Sequence, residues 1–160
     1  MSVVASAALH TFHLNGAFLA ALTERSIRAI VIGGLAVKHY CPEREVDDLD
    51  LLVEPTERAG AAVVDVLYQF NDIAGFDPKD FARPKQHYRQ KHMLYLDVLT
   101  PHGEDNFDQL WERTASATLN GLPVKVAALS DLLAMKRRAV LERGDTKDRR
   151  DVELLETVAV

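Results

Sequence analysis

The chain has 160 residues, enough for one domain with a sizeable core, and an ordinary globular composition with 48% hydrophobic residues. Its formal net charge of −5 argues against a protein that coats nucleic acid with a basic surface, but not against a local basic groove. The lone cysteine, Cys41, excludes an internal disulfide and a thiolate-rich zinc site, and points to a reducing compartment.

The first ten residues lack a basic n-region, so a signal peptide is not expected, and no run approaches the ~18 apolar residues of a membrane span. A cytoplasmic protein is the expectation: a single domain over 1–160, with residues 1–12 a flexible or helical extension. Asn15 suits an N-cap, and Phe18, Leu19 and Leu22 have helical spacing, which predicts a helix over 15–25. Ser26 to Ile32 reads as a buried strand that stops at Gly33-Gly34. Leu35 to Tyr40 is a two-turn helix ended by Cys41-Pro42, because the residue before proline is pushed out of the α region.

A charged loop over Glu43 to Asp47 leads into a strand over Asp48 to Val53, and a helix restarts after Pro55-Thr56. A short strand is expected near Ile73. Arg83 to Gln90 and Met93 to Leu99 read as an antiparallel pair turning near Lys91-His92. A short helix over Asp105 to Arg113 follows, with Trp111 on its apolar side. Asn120-Gly121 marks a type I′ hairpin between Ala115–Leu119 and Leu122–Val126. Two C-terminal helices are expected: Asp131 to about Glu142, N-capped by Ser130 and closed by Gly144, and Lys147 to Val158. Interleaved helices and strands with antiparallel later strands predict an α+β fold, a mixed β-sheet flanked by helices.

The chemistry concentrates in residues 30–53. On a strand, residues two apart share a face, so Asp48 and Asp50 point together while Leu49, Leu51 and Val53 pack on the other side. Two carboxylates this close repel unless a cation lies between them, and hard oxygen donors suit Mg²⁺ or Mn²⁺. Taken alone, the pair also fits a solvated strand start. Gly33-Gly34 at a strand-to-helix junction would let phosphates approach backbone N–H groups, or would simply form a tight turn. Neither a P-loop nor a Rossmann fingerprint is present.

Thirteen residues, Leu35 to Asp47, separate Gly34 from Asp48. That order and spacing resemble the signature of the DNA-polymerase-β-like nucleotidyltransferase superfamily: Gly-Gly, about a dozen residues, then Asp-hydrophobic-Asp. Ile-Gly-Gly-Leu-Ala-Val and Asp-Leu-Asp-Leu-Leu-Val look like the minimal stand-alone bacterial members, several of them from toxin–antitoxin or abortive-infection systems. The resemblance implies a nucleotidyltransferase-like fold and Mg²⁺- or Mn²⁺-dependent transfer of an NMP from an NTP to a hydroxyl of RNA, protein or a small molecule. It implies catalytic and metal-binding roles for Asp48, Asp50 and, on a later strand, Asp97. It also implies nucleotide-binding roles for Gly33, Gly34, Arg44 and Lys136. A tRNA or protein acceptor and a cognate toxin or antitoxin protein are the partners it suggests, with no membrane. Many relatives carry Ser or Thr where Val46 stands, two residues before the first Asp. That departure keeps open a catalytically degenerate fold that binds a nucleotide or partner without turnover.

Other signals carry less. Arg83, Lys85, His87, Arg89 and Lys91 fall at every second position, a basic row that fits either a charged edge strand or a phosphate track. Tyr88 alternates onto the other face. His10/His13 and His87/His92 lack zinc partners at plausible spacing. Lys147, Asp148 and Asp151 read as a structural trio joining the terminal helices. An aspartyl-nucleophile phosphatase is disfavoured, since here charges precede the acids and the apolar run follows.

Overall fold

In a computed structural model, residues 8–11, 13–46 and 48–159 are described. The sequence dictates the main elements through its apolar periodicities. Strands β1 (Ala8–Leu9), β2 (Ala29–Ile32), β3 (Leu49–Val53), β4 (His87–Gln90), β5 (Leu96–Leu99), β6 (Ala115–Leu119) and β7 (Leu122–Val126) form one sheet. Its order is β1-β6-β7-β2-β3-β5-β4. Pairings β1–β6, β2–β7 and β3–β5 are parallel, whereas β2–β3, β4–β5 and β6–β7 are antiparallel. This is the mixed sheet flanked by helices that the alternation of elements predicts.

The helices are α1 (His13–Glu24), α2 (Gly33–Tyr40), α3 (Glu57–Gln69), α4 (Phe107–Glu112), α5 (Leu129–Arg143) and α6 (Thr146–Val158). Helix α3 starts where the Thr56 side chain accepts a hydrogen bond from the Ala59 N–H at 3.0 Å. Helix α5 ends at Gly144, whose φ of +66° gives the left-handed cap. The Asp145 side chain then accepts from the Lys147 N–H at 2.7 Å and starts α6. Helix α2 packs against both α5 and α6, and α1 packs on α3. The centre of the sheet is apolar throughout: Ile30, Val31, Leu49, Leu51, Leu96 and Val98 are fully buried.

Several expectations are corrected. Ala8–Leu9 is neither coil nor helix but an edge strand beside Thr118–Leu119; residues 1–7 and 12 lie outside the described residues. Asn15 does not cap α1. It lies within the helix, fully buried, and accepts the Thr11 hydroxyl at 2.6 Å. No strand forms at Ile73, whose side chain is 84% exposed and so gains no burial from an extended pairing there. Strand β4 begins only at His87. Pro84 lacks an N–H, and Lys85 takes a φ of +57°, so the extended row cannot run from Arg83. Ser130 does not cap α5, which starts one residue earlier after Ala128 without a side-chain cap. The Asn120-Gly121 turn is as predicted, with φ of +50° and +85° joining β6 to β7.

Candidate active site

Register, more than proximity in sequence, assembles the site. Strands β2 and β3 pair so that Ile32 lies opposite Asp50, which puts the first residue after β2, Gly33, against the Asp50 side chain. Gly33 has a φ of +65°, and a Cβ there would sit 2.0 Å from Asp50 Oδ2. Only glycine satisfies both the backbone and the space. Strands β3 and β5 pair in parallel with Asp50 opposite Asp97, so the two carboxylates stand side by side on neighbouring strands, with β5 one strand in from the β4 edge. Asp48, just before β3, points to the same place and is half-buried.

The edge strand β4 completes the surroundings. Asp97 is nearly fully buried and is met by three groups, two in this strand and one, Lys91, just past its end. His87 Nε2 lies 2.7 Å and Arg89 Nε 2.8 Å from Asp97 Oδ1, and the Lys91 ammonium donates to Asp97 Oδ2. Lys91 Nζ also lies 3.2 Å from Asp48 Oδ2 and so bridges the two acids. Burial, then the hydrogen bond and charge of Asp97, push the Asp50 carboxyl up to about 7. For Asp97 burial acts upward too. Hydrogen bonds from His87, the Asp50 carboxyl, Lys91 and Arg89 outweigh it and hold Asp97 well below the usual carboxylate range.

The residues nominated for nucleotide binding line the same cleft, of about 640 Å³, but two of them are already engaged. Arg44 crosses Gly34, where a Cβ would lie 3.0 Å from its Nη2, and grips the fully buried Asp151 through Nε at 2.8 Å and Nη2 at 3.3 Å. Lys136 Nζ lies 3.0 Å from Asp151 and 3.3 Å from Asp148. Arg143 also holds Asp148, at 3.0 Å. Asp148 and Asp151 thus tie α5 to α6 and to the loop before β3, as their structural reading predicts. The Lys147 side chain takes no part in that tie and lies along the cleft. Val46 packs beside Gly34, its Cγ2 3.0 Å from the place a Cβ would take.

The convergence of β4 on Asp97 is what sequence reasoning missed. The basic row splits. Arg83 pairs with Asp80 and Lys85 with Glu142, while His87, Arg89 and Lys91 turn onto the acids. The period-two alternation held the signal for the last three, but not its target. On the opposite face Tyr88 donates to Asp72, away from the site.

The donor set suits a hard divalent cation, since Asp48, Asp50 and Asp97 offer only carboxylate oxygens. Among the described residues no three acid, His or Cys side chains are drawn together tightly enough to hold a metal ion. The position between Asp48 and Asp97 is instead taken by the Lys91 ammonium, a stand-in of the right sign.

No protein-family model and no curated protein sequence matches the chain. Solved structures do resemble it. The solution structure of the antibiotic-resistance factor ANT(2'')-Ia superposes with a TM-score of 0.64 at 18% identity, covering 89% of this chain and 80% of that one. The crystal structure of ANT(2'')-Ia with adenylyl-2''-tobramycin gives 0.60 at 18% identity, covering 89% and 86%. A nucleotidyltransferase-like protein from Paracoccidioides brasiliensis gives 0.48 at 17%, covering 91% and 76%. Among the described residues no helix is long and apolar enough to cross a membrane. The chain therefore shares its fold with ANT(2'')-Ia, over most of the length of both proteins.

Proposed function

We propose that this protein is a divalent-metal-dependent nucleotidyltransferase that moves an NMP from an NTP to a hydroxyl acceptor. One observation carries the reading. Asp50 and Asp97 are direct cross-strand partners, Asp48 converges on them, and the Gly33-Gly34 turn abuts Asp50 at the mouth of one cleft. The shared fold with ANT(2'')-Ia supports it.

Asp48, Asp50 and Asp97 would hold Mg²⁺ or Mn²⁺, which when bound supplies Lewis-acid neutralisation of the triphosphate. The chain's own groups do the rest. Gly33 and the N-terminus of α2 open backbone N–H groups toward a phosphate. Asp97, held at Oδ1 by His87 and Arg89, is fixed in place as a carboxylate donor for the metal ion. Arg44 and Lys136, fixed by Asp151 and Asp148, place positive charge along the cleft without being free to swing.

Transfer RNA, a protein hydroxyl and a small antibiotic are all acceptors this chemistry allows, and a role as one half of a toxin–antitoxin pair extends the same reading. A second reading, a fold that binds a nucleotide or partner without turnover, is favoured by the engagement of Asp97 by His87, Arg89 and Lys91, and by Val46. Incubation with each α-labelled NTP, Mg²⁺, and cell RNA, protein or small-molecule fractions separates the two. Transferred label with released pyrophosphate supports the enzyme and names the acceptor class. Nucleotide binding with no label in any fraction supports the binding module.

A further inference from the structure

The acids of the cleft are balanced by the chain itself. Asp97, nearly buried, cannot remain charged without compensation. Two cations and one imidazole provide it, His87 and Arg89 from β4 and Lys91 just after it. Of these, Lys91 alone touches two acids, and among the described residues its ammonium is the one group that joins Asp48 to Asp97. A divalent ion held by the same two carboxylates would need that position.

We propose that Lys91 is an internal counter-ion: its ammonium occupies the cation position between Asp48 and Asp97, and a divalent metal binds only by displacing it. This rests on the reading of Asp48, Asp50 and Asp97 as a metal-binding set. Lys91 acts through the two carboxylates and is a positioning residue. The geometry permits the exchange. The Lys91 side chain is 35% exposed at the end of β4, so its flexible stem can withdraw toward solvent, whereas Asp97 is fixed within β5. After the exchange Arg89 and His87 still hold Asp97 Oδ1, and the Oδ2 that Lys91 vacates faces Asp48. The metal-free acids Asp48 and Asp97 are thereby kept paired and in place, at the expense of metal affinity.

The test is Mn²⁺ binding to the full chain without nucleotide, read as free Mn²⁺ by electron paramagnetic resonance. Lys91→Met removes the ammonium and keeps most of the stem. It should bind Mn²⁺ about tenfold more tightly than wild type, the scale of one charge-assisted contact. Lys91→Arg keeps the charge and should stay within about threefold of wild type. Lys85→Gln removes a cation that lines the cleft but pairs with Glu142, and should likewise change affinity by less than about threefold. A gain on losing a side chain is not something a merely structural role produces.

Equal or weaker Mn²⁺ binding by Lys91→Met overturns the inference while leaving the enzyme reading standing. So does an equal gain in Lys85→Gln, which would reflect the general field of the cleft, or in Lys91→Arg. Absence of Mn²⁺ binding in both wild type and Lys91→Met overturns the inference and the metal-dependent reading together.

Discussion

Substituting Gly33 by alanine tests the link between the turn and the acids. An L-residue held at a φ of +65° costs about 1–2 kcal/mol. The new Cβ would also lie 2.0 Å from Asp50 Oδ2, where ordinary contact begins at 3.4 Å. The Asp50 Cγ and Cβ would lie at 2.8 and 2.9 Å as well, so relief needs β2 to shift against β3 as well as Asp50 to turn away, and a displacement of ~1 Å at the site is enough to lower a reaction rate about 10²-fold. At roughly 2–4 °C per kcal/mol for a domain of this size, the melting temperature should fall by about 2–8 °C. Thermal melting with and without Mn²⁺, together with pyrophosphate release, reads both effects. Gly34→Ala is the comparison. The nearest atoms to its Cβ would belong to Arg44 and Val46, at 3.0 Å, and neither residue belongs to the acid set. It should lose stability but keep the Mn²⁺ response. A Gly33→Ala protein with wild-type melting and a wild-type Mn²⁺ response would refute the claim that this glycine exists to seat Asp50.

Asp48→Asn should abolish Mg²⁺-dependent transfer and leave melting within about 1 °C of wild type, since the side chain is 43% exposed and outside the core; transfer at the wild-type rate would sink the assignment. Arg44→Met leaves the fully buried Asp151 with Lys136 alone, and urea denaturation should show a loss of about 2–4 kcal/mol, whereas a change below ~0.5 kcal/mol would mean the pair is not structural. Burial raises the Asp151 carboxyl, but Arg44 and Lys136 outweigh it and hold it below the ordinary range. A depressed folded-state carboxylate contributes stability above the unfolded value near ~3.9 and loses it as pH falls through the lower folded value. Melting temperature should therefore decline on acidification below about pH 4, and Asp151→Asn, already destabilised, should decline less steeply. An equal acid slope in both proteins would place that stability elsewhere.

What the sequence determined by itself is local in range. The Asn120-Gly121 hairpin, the helix ended by Gly144 and the alternation of residues 48–53 are properties of neighbouring residues, and each appears where the pattern puts it. Gly33-Gly34 and Asp-Leu-Asp were legible for the same reason, because a turn and a two-residue period need no knowledge of partners. The local reading failed where a long-range contact overrides it. Asn15 has a cap residue's chemistry but is buried within the helix, and the basic row breaks at Pro84-Lys85. Only the tertiary structure decided which carboxylates meet. Asp50 and Asp97 are 47 positions apart in the chain, and it is the register of β3 on β5 that sets them side by side. Likewise Arg44 and Lys136 carry the charge of phosphate ligands, but α6 brings Asp148 and Asp151 to them first. The row His87, Arg89 and Lys91 could be read as cationic from its letters. That it faces the acids follows from the pairing of Arg89 with Asp97, a fact of the folded sheet, because strand register is fixed by burial of both strands and is encoded in neither alone.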